Sequence, residues 1–400
     1  MKNEINIWSI KNKKNKFLQI KYFLILLALL LIVFAIYFQI LNKINLLTIQ
    51  FQTTNPSPTI NPEEVKKVKK EKYVQNILSS MTLEEKIGQM IMWGINEPVL
   101  SSESASMIED THAGGVIIMI NKDQVFTPQQ INKLTHQIKY LNNKIPLFIA
   151  IDGEIGIIKS KISGFENYNQ FPEYMDDSKF CSEVSDISNF LYDNGINVNF
   201  GIIADIGWNQ GFIKYRTYGN TPESVRNRIT TAIDCSNNNL LITVKHFPGH
   251  GRTVVDSHYT SPIIETDYDK WLKTDKVPFQ EAIDKKVDLV MMGHLIYNKI
   301  ASEPASLSLV HNNNVRQMGF DGIIITDDLG MLESSGIEPK EVLNKAINAK
   351  NDILLYVNHR LDANEIINQI VNEVEIHNIS VNRINESVQQ ILKSKYSIID

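Results

Sequence analysis

Short, continuous runs of apolar residues alternate with longer amphipathic segments through most of the chain. The runs cover residues 114–120, 146–152, 197–206, 240–247, 287–294, 320–328 and 351–358, and a first one, MIMWG, starts at Met90. Such runs are typical of strands buried on both faces, and their alternation with helices indicates a parallel sheet. About eight strands over roughly 320 residues predict a (β/α)8 TIM-like barrel, with an open doubly wound sheet as the alternative.

Polar residues gather at the C-terminal ends of several of these runs, which favours the barrel. They are Asp152, Asp205, Lys245, His246, His294, Asp327 and Asp328. In a barrel the C-terminal strand ends meet at one mouth, whereas an open sheet brings only a few of them together at its switch point.

The N-terminus has a different pattern. Residues 22–42 carry no charge and consist mainly of Leu, Ile, Phe and Val, about the length that crosses a bilayer as a helix. Lysines dominate residues 1–21, so the positive-inside rule predicts a cytoplasmic basic tail and an extracytoplasmic remainder. We expect a single-pass anchor in the cell membrane, and a cleaved signal peptide is the alternative.

Between this span and the first apolar run, residues 43–74 are predicted to be an exposed linker, because 53–72 combine Pro, Ser, Thr, Asn and lysines without apolar periodicity. Residues 75–400 then form the predicted barrel domain. Thr82 and Glu85 have the spacing of a capping box and predict a helix start there.

Charge and cysteine content narrow the function further. Seven lysines and one glutamate give residues 1–43 a net charge of +6, and the chain's total of −5 leaves −11 on the rest. An acidic domain of this kind is a poor nucleic-acid binder, so no nucleic-acid partner is expected. Cys181 and Cys235 lack CxxC spacing and are predicted to be two buried thiols.

The segment KHFPGHGRTVVDSH, residues 245–258, is rich in residues with chemical function. His246 and His250 have a spacing that suits zinc on a helix, but Pro248 and Gly249 break such a helix, so no metal is expected. The segment also lacks the GxxxxGK[ST] order of a nucleotide loop.

Acid/base chemistry remains. In an extended loop Asp256 and His258 project to the same side, so the carboxylate can fix the tautomer of the ring. A nucleophile has to come from elsewhere, and Asp327 and Asp328 stand at the end of the seventh apolar run. Either one of them faces the mouth of the barrel or both cap the next helix.

These residues resemble glycoside hydrolase family 3, in particular its single-domain β-N-acetylglucosaminidase branch. MTLEEKIGQM, ID at the end of the third run, KHFPGHG with the later DSH, PASLS and GFDGIIITDDL stand in the family's order and approximate spacing over residues 75–360. The resemblance implies a retaining mechanism at the mouth of a barrel, with no metal or organic cofactor.

The resemblance also implies roles for individual residues. Asp327 matches the family's nucleophile, and His258 matches the acid/base, with Asp256 as its partner. The sugar-binding positions of the family fall on Asp152, Arg216, Lys245 and His246. His250 is left as a residue of loop structure.

Four positions depart from the family's pattern. Ile155 replaces a glycine and Ser160 an arginine in DGEIGIIKS, Arg252 stands where an aspartate is common, and Asn298 stands where an acid is frequent. The expected activity is removal of terminal β-linked N-acetylglucosamine from cell-wall-type glycans or muropeptide fragments. The alternatives are β-glucosidase or β-xylosidase specificity on the same scaffold, and a catalytically impaired, membrane-tethered glycan-binding protein.

Overall fold

The structure is a computed structural model that describes residues 24–46, 62–141, 145–168, 171–208, 211, 213–257, 259–358 and 360–399. The chain divides into two units, Met1–Lys67 and Val68–Asp400. In the first unit, helix α1 (Leu24–Leu46) overlaps the predicted span and is long and apolar enough to cross a membrane. A signal sequence near an N-terminus has the same properties. The predicted tail, 1–21, lies outside the described residues.

The strands of the second unit are β1 Ile91–Ile95, β2 Gly115–Ile118, β3 Phe148–Ile151, β4 Val198–Ile203, β5 Leu241–Phe247, β6 Ile263–Ile264, β7 Leu289–Met292, β8 Ile296–Tyr297, β9 Ile323–Thr326 and β10 Leu354–Tyr356. Each predicted apolar run contains one of them. Only the short parallel pair β6 and β8 was not predicted.

The helices of the described chain are α2 Pro62–Ser80, α3 Leu83–Gln89, α4 Ser102–Asp110, α5 Pro128–Lys139, α6 Asp177–Asp193, α7 Pro222–Cys235, α8 Tyr268–Lys273, α9 Lys276–Asp284, α10 Leu309–Gln317, α11 Leu329–Ser334, α12 Pro339–Asn348, α13 Ala363–Glu375 and α14 Val381–Ile399. Thr82 caps α3 with the predicted capping box to Glu85. Short 3-10 turns cover Ile158–Ser160, Pro172–Tyr174 and Ala305–Leu307.

The sheet is a parallel barrel. Its order is β10, β1, β2, β3, β4, β5, β7 and β9, and every neighbouring pair is parallel. Ile325 in β9 forms a parallel bridge with Ile353, the residue directly before β10. This bridge joins the two ends of the sheet and closes the ring. Nearly all of the strand residues are buried, and about half of them are β-branched, as is typical of strands covered on both faces. The (β/α)8 prediction is confirmed, and the open sheet is excluded.

Part of the predicted linker is helical. Helix α2 covers residues 62–80, and Val74, inside the range assigned to the linker, is 1% exposed in the second unit. Glu63 and Glu64 lie in the first turn, where acids are favourable for a helix. Good helix formers, Glu and Lys, therefore continue the element despite the absence of an apolar stripe.

The prediction of two buried thiols is wrong. Cys181 on α6 and Cys235 at the end of α7 form a disulfide, with Cα atoms 5.5 Å apart across a sequence separation of 54 residues. Helix α6 precedes β4 in the chain and helix α7 follows it, and the two helices pack against each other. This packing brings the two thiols within bonding geometry, which the spacing of two cysteines in a sequence does not reveal.

Candidate active site

A cavity of about 300 Å³ lies at the C-terminal ends of the barrel strands. Ile117, Phe200, Met291 and Leu355, from four different strands, supply apolar walls. The charged and polar lining comprises Asp152, Glu154, Lys161, Arg216, Lys245, His246, His250, Ser257, Asp327, Asp328 and Asn358. All of the sequence-predicted sugar-binding residues and the predicted nucleophile are thus in one cavity.

A larger cavity, about 910 Å³, lies at the opposite end of the barrel. Residues that precede strands line it, among them Leu147, Asn197, Leu240 and Asp288. Active sites of (β/α)8 enzymes are built at the C-terminal strand ends, whereas residues at the opposite end of the barrel contribute to its stability. Volume alone would therefore select the wrong end of this barrel.

The catalytic-end cavity contains a network of five charged side chains. Lys245 Nζ lies 2.6 Å from Asp152 Oδ1 and 2.7 Å from Glu154 Oε1. Arg216 donates two bonds of 2.8 Å to the two oxygens of Glu154, and Lys161 Nζ is 3.3 Å from Asp152 Oδ2. Two carboxylates and three cations leave one positive charge, so the network presents strong donors to an oxygen-rich ligand.

The ionisation of this network follows from burial and pairing. Burial alone would raise the pKa of Glu154, but the charges of Arg216 and Lys245 outweigh it and lower the pKa to about 2. Burial acts on Asp152 in the same sense, and Lys245 and Lys161 lower its pKa well below the ordinary range. Burial would lower the pKa of Lys245, whereas Asp152 and Glu154 raise it overall. Asp152, Glu154 and Lys245 are therefore charged at neutral pH.

Asp205 positions the histidine end of the site. It follows β4 and is fully buried. Its carboxylate accepts a hydrogen bond of 2.7 Å from Nδ1 of His246. It also accepts hydrogen bonds from the backbone N–H of His246 and, at 2.6 Å, from the backbone N–H of His250. The hydrogen bond to Asp205 makes Nδ1 of His246 the donor nitrogen. In the neutral ring, Nε2 is therefore the acceptor.

The loop after β5 depends on its glycines. Gly249 has a φ of +130°, and a Cβ on Gly251 would lie 1.7 Å from the carbonyl oxygen of Ile206. Cis peptide bonds precede His246 and Pro248. The departure at Arg252 has a structural explanation, because its guanidinium bonds buried Asp275 at 2.7 Å and lies 4.4 Å from the centre of the Trp208 ring.

His250 contributes to both the loop and the cavity. Its ring lines the cavity, and Nε2 is 2.8 Å from Oγ of Ser257, the middle residue of DSH. Burial, together with the charge of His246, lowers the pKa of His250 to about 4, so the ring is neutral at neutral pH. Asp256 is partly buried and does not line the cavity, and His258 lies outside the described residues.

The two adjacent aspartates at the end of β9 differ in their surroundings. Asp328 caps α11: its carboxylate accepts the N–H groups of Gly330 at 3.0 Å and Val357 at 2.9 Å, and burial raises its pKa to about 6. Asp327 Oδ1 accepts the N–H of Asp328 at 2.8 Å. Burial would raise the pKa of Asp327, but the charges of His246 and His294 outweigh it and lower the pKa. Asp327 is therefore ionised at neutral pH and binds a proton less readily than Asp328 does.

Sequence reasoning missed Glu154, Lys161 and the positioning role of Asp205. Glu154 stands two residues after Asp152, so an alternating extended segment after β3 could have suggested it. Lys161 follows a 3-10 turn, Ile158–Ser160, and no periodic signal points to it. It brings a cation into the cavity next to Ser160, where the family's pattern has an arginine.

Comparison with known proteins agrees with this architecture. The glycosyl hydrolase family 3 N-terminal domain matches residues 82–394. A beta-hexosaminidase of Tolumonas auensis is 30% identical over 287 residues, 68% of this chain and 84% of that protein. The structure of a glycoside hydrolase family 3 beta-N-acetylglucosaminidase from a Paenibacillus strain has a TM-score of 0.73 and 29% identity over 80% of this chain, which spans 64% of that one.

A beta-N-acetylhexosaminidase from Beutenbergia cavernae has the same fold, with a TM-score of 0.70 and 21% identity over 79% of this chain and 99% of that one. The protein is therefore a glycoside hydrolase built on a parallel barrel. It belongs to glycoside hydrolase family 3.

Proposed function

We propose that this glycoside hydrolase is a retaining β-N-acetylglucosaminidase that removes terminal β-linked N-acetylglucosamine from cell-wall-type glycans or muropeptide fragments. The observation that carries the proposal is the single cavity that contains ionised Asp327 together with the network of Asp152, Lys245 and Arg216. Its relatives named beta-hexosaminidase and beta-N-acetylglucosaminidase support this choice of sugar.

The proposed reaction has two displacements. Asp327 attacks the anomeric carbon while the bond from that carbon to the leaving oxygen breaks, and His258 gives that oxygen a proton. His258 then takes a proton from water, whose oxygen displaces Asp327 and restores the starting configuration. Asp256 favours the protonated ring of His258 as its carboxylate partner.

The charged network and His246 are proposed to bind the sugar. Lys245 and Arg216 donate charged hydrogen bonds to sugar oxygens, and Asp152 accepts from hydroxyl groups. Because Glu154 and Asp152 already fix the cations, the donors need no reorganisation when the substrate enters.

Two features support an extracytoplasmic site of action. Helix α1 has the length and composition of a membrane span, and the Cys181–Cys235 disulfide is of a kind that persists in oxidising compartments. We infer that α1 is a single-pass anchor in the cell membrane and that the barrel faces outward, beside cell-wall glycan.

Initial rates of the full chain in detergent, on nitrophenyl β-glycosides of N-acetylglucosamine, glucose and xylose, test this function. We expect kcat/KM for N-acetylglucosaminide to exceed the others by roughly 100-fold, and NMR to detect the β-anomer as the first product. Preference for glucoside or xyloside would favour the alternative specificity. Binding of chitobiose without any turnover would favour a glycan-binding protein instead.

A further inference from the structure

Arg252 connects the loop after β5 to two other segments of the barrel. Its guanidinium donates from Nε to Asp275 Oδ2 at 2.7 Å and from Nη2 to Thr274 Oγ1 at 2.9 Å. The guanidinium carbon lies 4.4 Å from the centre of the Trp208 ring, and Nε1 of that ring donates to Asp275 Oδ1 at 3.1 Å. Arg252 therefore joins its own loop to the chain after β4 and to the start of α9.

The carboxylate of Asp275 serves this loop rather than its own helix. Asp275 is 1% exposed and stands directly before α9, but its side chain makes no capping hydrogen bond to that helix. Aspartate at such a position commonly accepts a helix N–H. Here the donors are Arg252 and Trp208, and a buried carboxylate needs partners of this kind. An aspartate at position 252 could not pair with this carboxylate, so the connection depends on the departure from the family's pattern.

The first residues of the loop are held by other contacts. Nε1 of Trp271 donates to the carbonyl oxygen of Pro248 at 2.9 Å. The hydroxyl group of Tyr297 donates to the carbonyl oxygen of Gly249 at 2.7 Å. Both donor side chains are buried. Because these bonds do not involve Arg252, its loss should leave the end of β5 and the side chain of His246 in place.

The far part of the loop has little apolar burial to hold it. Val254 is 65% exposed and Val255 is 45% exposed. Thr253 Oγ1 accepts the N–H of Val255 at 2.9 Å, and His250 Nε2 lies 2.8 Å from Ser257 Oγ. Both of these contacts join loop residues to each other. The position of this part over the barrel therefore depends on the points where the loop meets other segments, and Arg252 stands directly before it.

We propose that Arg252 is a positioning residue, which through Asp275 holds the far part of the loop, with the proposed acid/base pair of Asp256 and His258, over the catalytic cavity. Ser257 lines that cavity and is joined by peptide bonds to both members of the pair. The proposal rests on the proposed function and deepens it, because it names the residue that fixes the proton donor relative to the nucleophile.

Steady-state kinetics of Arg252→Ala with two substrates test this role in the full chain. Chitobiose needs a proton on its leaving oxygen, whereas N-acetyl-β-glucosaminyl fluoride does not, and kcat/KM reports the first displacement. We expect kcat/KM to fall about tenfold for chitobiose and less than about twofold for the fluoride. A residue that only stabilises the fold would change neither value, or would lower both equally. Either of these results would overturn the positioning role.

Two further substitutions keep the test decisive. Arg252→Met retains an apolar stem over Trp208 but has no donor, so it should give the kinetics expected of Arg252→Ala and replaces that variant if alanine prevents folding. Wild-type kinetics in Arg252→Met would overturn the proposal. Arg252→Lys retains a cation for Asp275, and its kcat/KM for chitobiose should return to within about threefold of the wild-type value.

Arg316→Ala is the matched control. Arg316 also bonds a buried aspartate, Asp352, at 2.8 Å, and its guanidinium carbon lies 5.4 Å from the centre of the Phe320 ring. It donates to the carbonyl oxygen of Gly322, just before β9, at the end of the barrel opposite the catalytic cavity. The substitution should change kcat/KM for neither substrate. A selective loss on chitobiose in this control would show that any lost ion pair has this effect, and would refute the proposal.

Hydrogen exchange separates failure of this inference from failure of the proposed function. If His258→Ala lowers kcat/KM equally for both substrates, His258 is not the acid, but exchange still shows whether Arg252 holds the loop. The peptide that contains Val255, whose N–H bonds Thr253, should exchange at least about threefold faster in Arg252→Ala, with β5 unchanged. Equal exchange of this peptide in the wild type and Arg252→Ala would overturn the proposal.

Discussion

Glu154 is expected to be the carboxylate on which the geometry of the sugar-binding network depends. Its side chain is 1% exposed and accepts two bonds of 2.8 Å from Arg216 and one of 2.7 Å from Lys245. Glu154→Gln keeps the shape but removes the charge, and the new amide NH₂ group cannot accept from either cation. Asp152 is then the one carboxylate left in the network beside Lys161, Lys245 and Arg216.

The magnitude follows from the pKa of Glu154. Its fall from 4.5 to about 2 on folding corresponds to about 3 kcal/mol of stability, in the range measured when one partner of a buried ion pair is removed. Because the folded pKa is lowered, this stability is present above about pH 4.5 and is lost as pH falls toward 2. Glu154→Gln should therefore unfold with a free energy about 3 kcal/mol smaller at pH 7 and with a flatter pH dependence between pH 4.5 and 2.

Urea denaturation of both proteins from pH 7 to pH 2 measures the difference in unfolding free energy. At pH 7, kcat/KM of Glu154→Gln should be roughly 100-fold lower than that of the wild type, because Arg216 and Lys245 lose their fixed positions. Glu183→Gln is a suitable control, since Glu183 is also buried but pairs with exposed Lys179 at 3.8 Å. It should cost less than about 1 kcal/mol. Equal effects of the two substitutions would refute the claim that Glu154 organises the site.

Further predictions concern the disulfide and the proposed catalytic groups. Replacing Cys181 and Cys235 by serine should lower the unfolding free energy by about 4 kcal/mol, because the disulfide closes a loop with a sequence separation of 54 residues. Wild-type denaturation curves that are the same with and without reductant would contradict this. Asp327 has a lowered pKa and is proposed to act deprotonated, so kcat/KM for a glycosyl fluoride should stay level from about pH 8 down to pH 5. A titration midpoint of kcat/KM inside that window would show that another group controls the rate. His258→Ala should lower kcat/KM for chitobiose about 100-fold but hardly affect kcat/KM for the fluoride, because kcat/KM reports the first displacement and fluoride leaves without a proton; equal losses of kcat/KM would argue against an acid role.

The sequence predicts the barrel well because its information is local. Each strand buries both faces, so it is written as an apolar run with β-branched residues, and the polar residue that ends the run marks the mouth. Asp152, Lys245 and Asp327 could be located in this way, since strand order alone brings them into one cavity.

The remaining features depend on contacts between distant segments. Lys161 reaches Asp152 only because of the path of a 3-10 turn, and the Cys181–Cys235 bond needs two helices to pack at one particular height. Asp205 ends a strand like the predicted residues do, but its part in holding two histidines arises from the turn after β5.

Trapping of the glycosyl-enzyme tests the central claim most directly, namely that Asp327 is the nucleophile of a retaining β-N-acetylglucosaminidase. The full chain would be incubated with a slowly turned over, ring-fluorinated N-acetylglucosaminyl fluoride, digested with protease and mapped by mass spectrometry. We predict one added glycosyl group on the peptide that contains Asp327 and none in Asp327→Asn. A label on Asp256 or Asp328, or unlabelled enzyme that still hydrolyses N-acetylglucosaminides, would contradict the account.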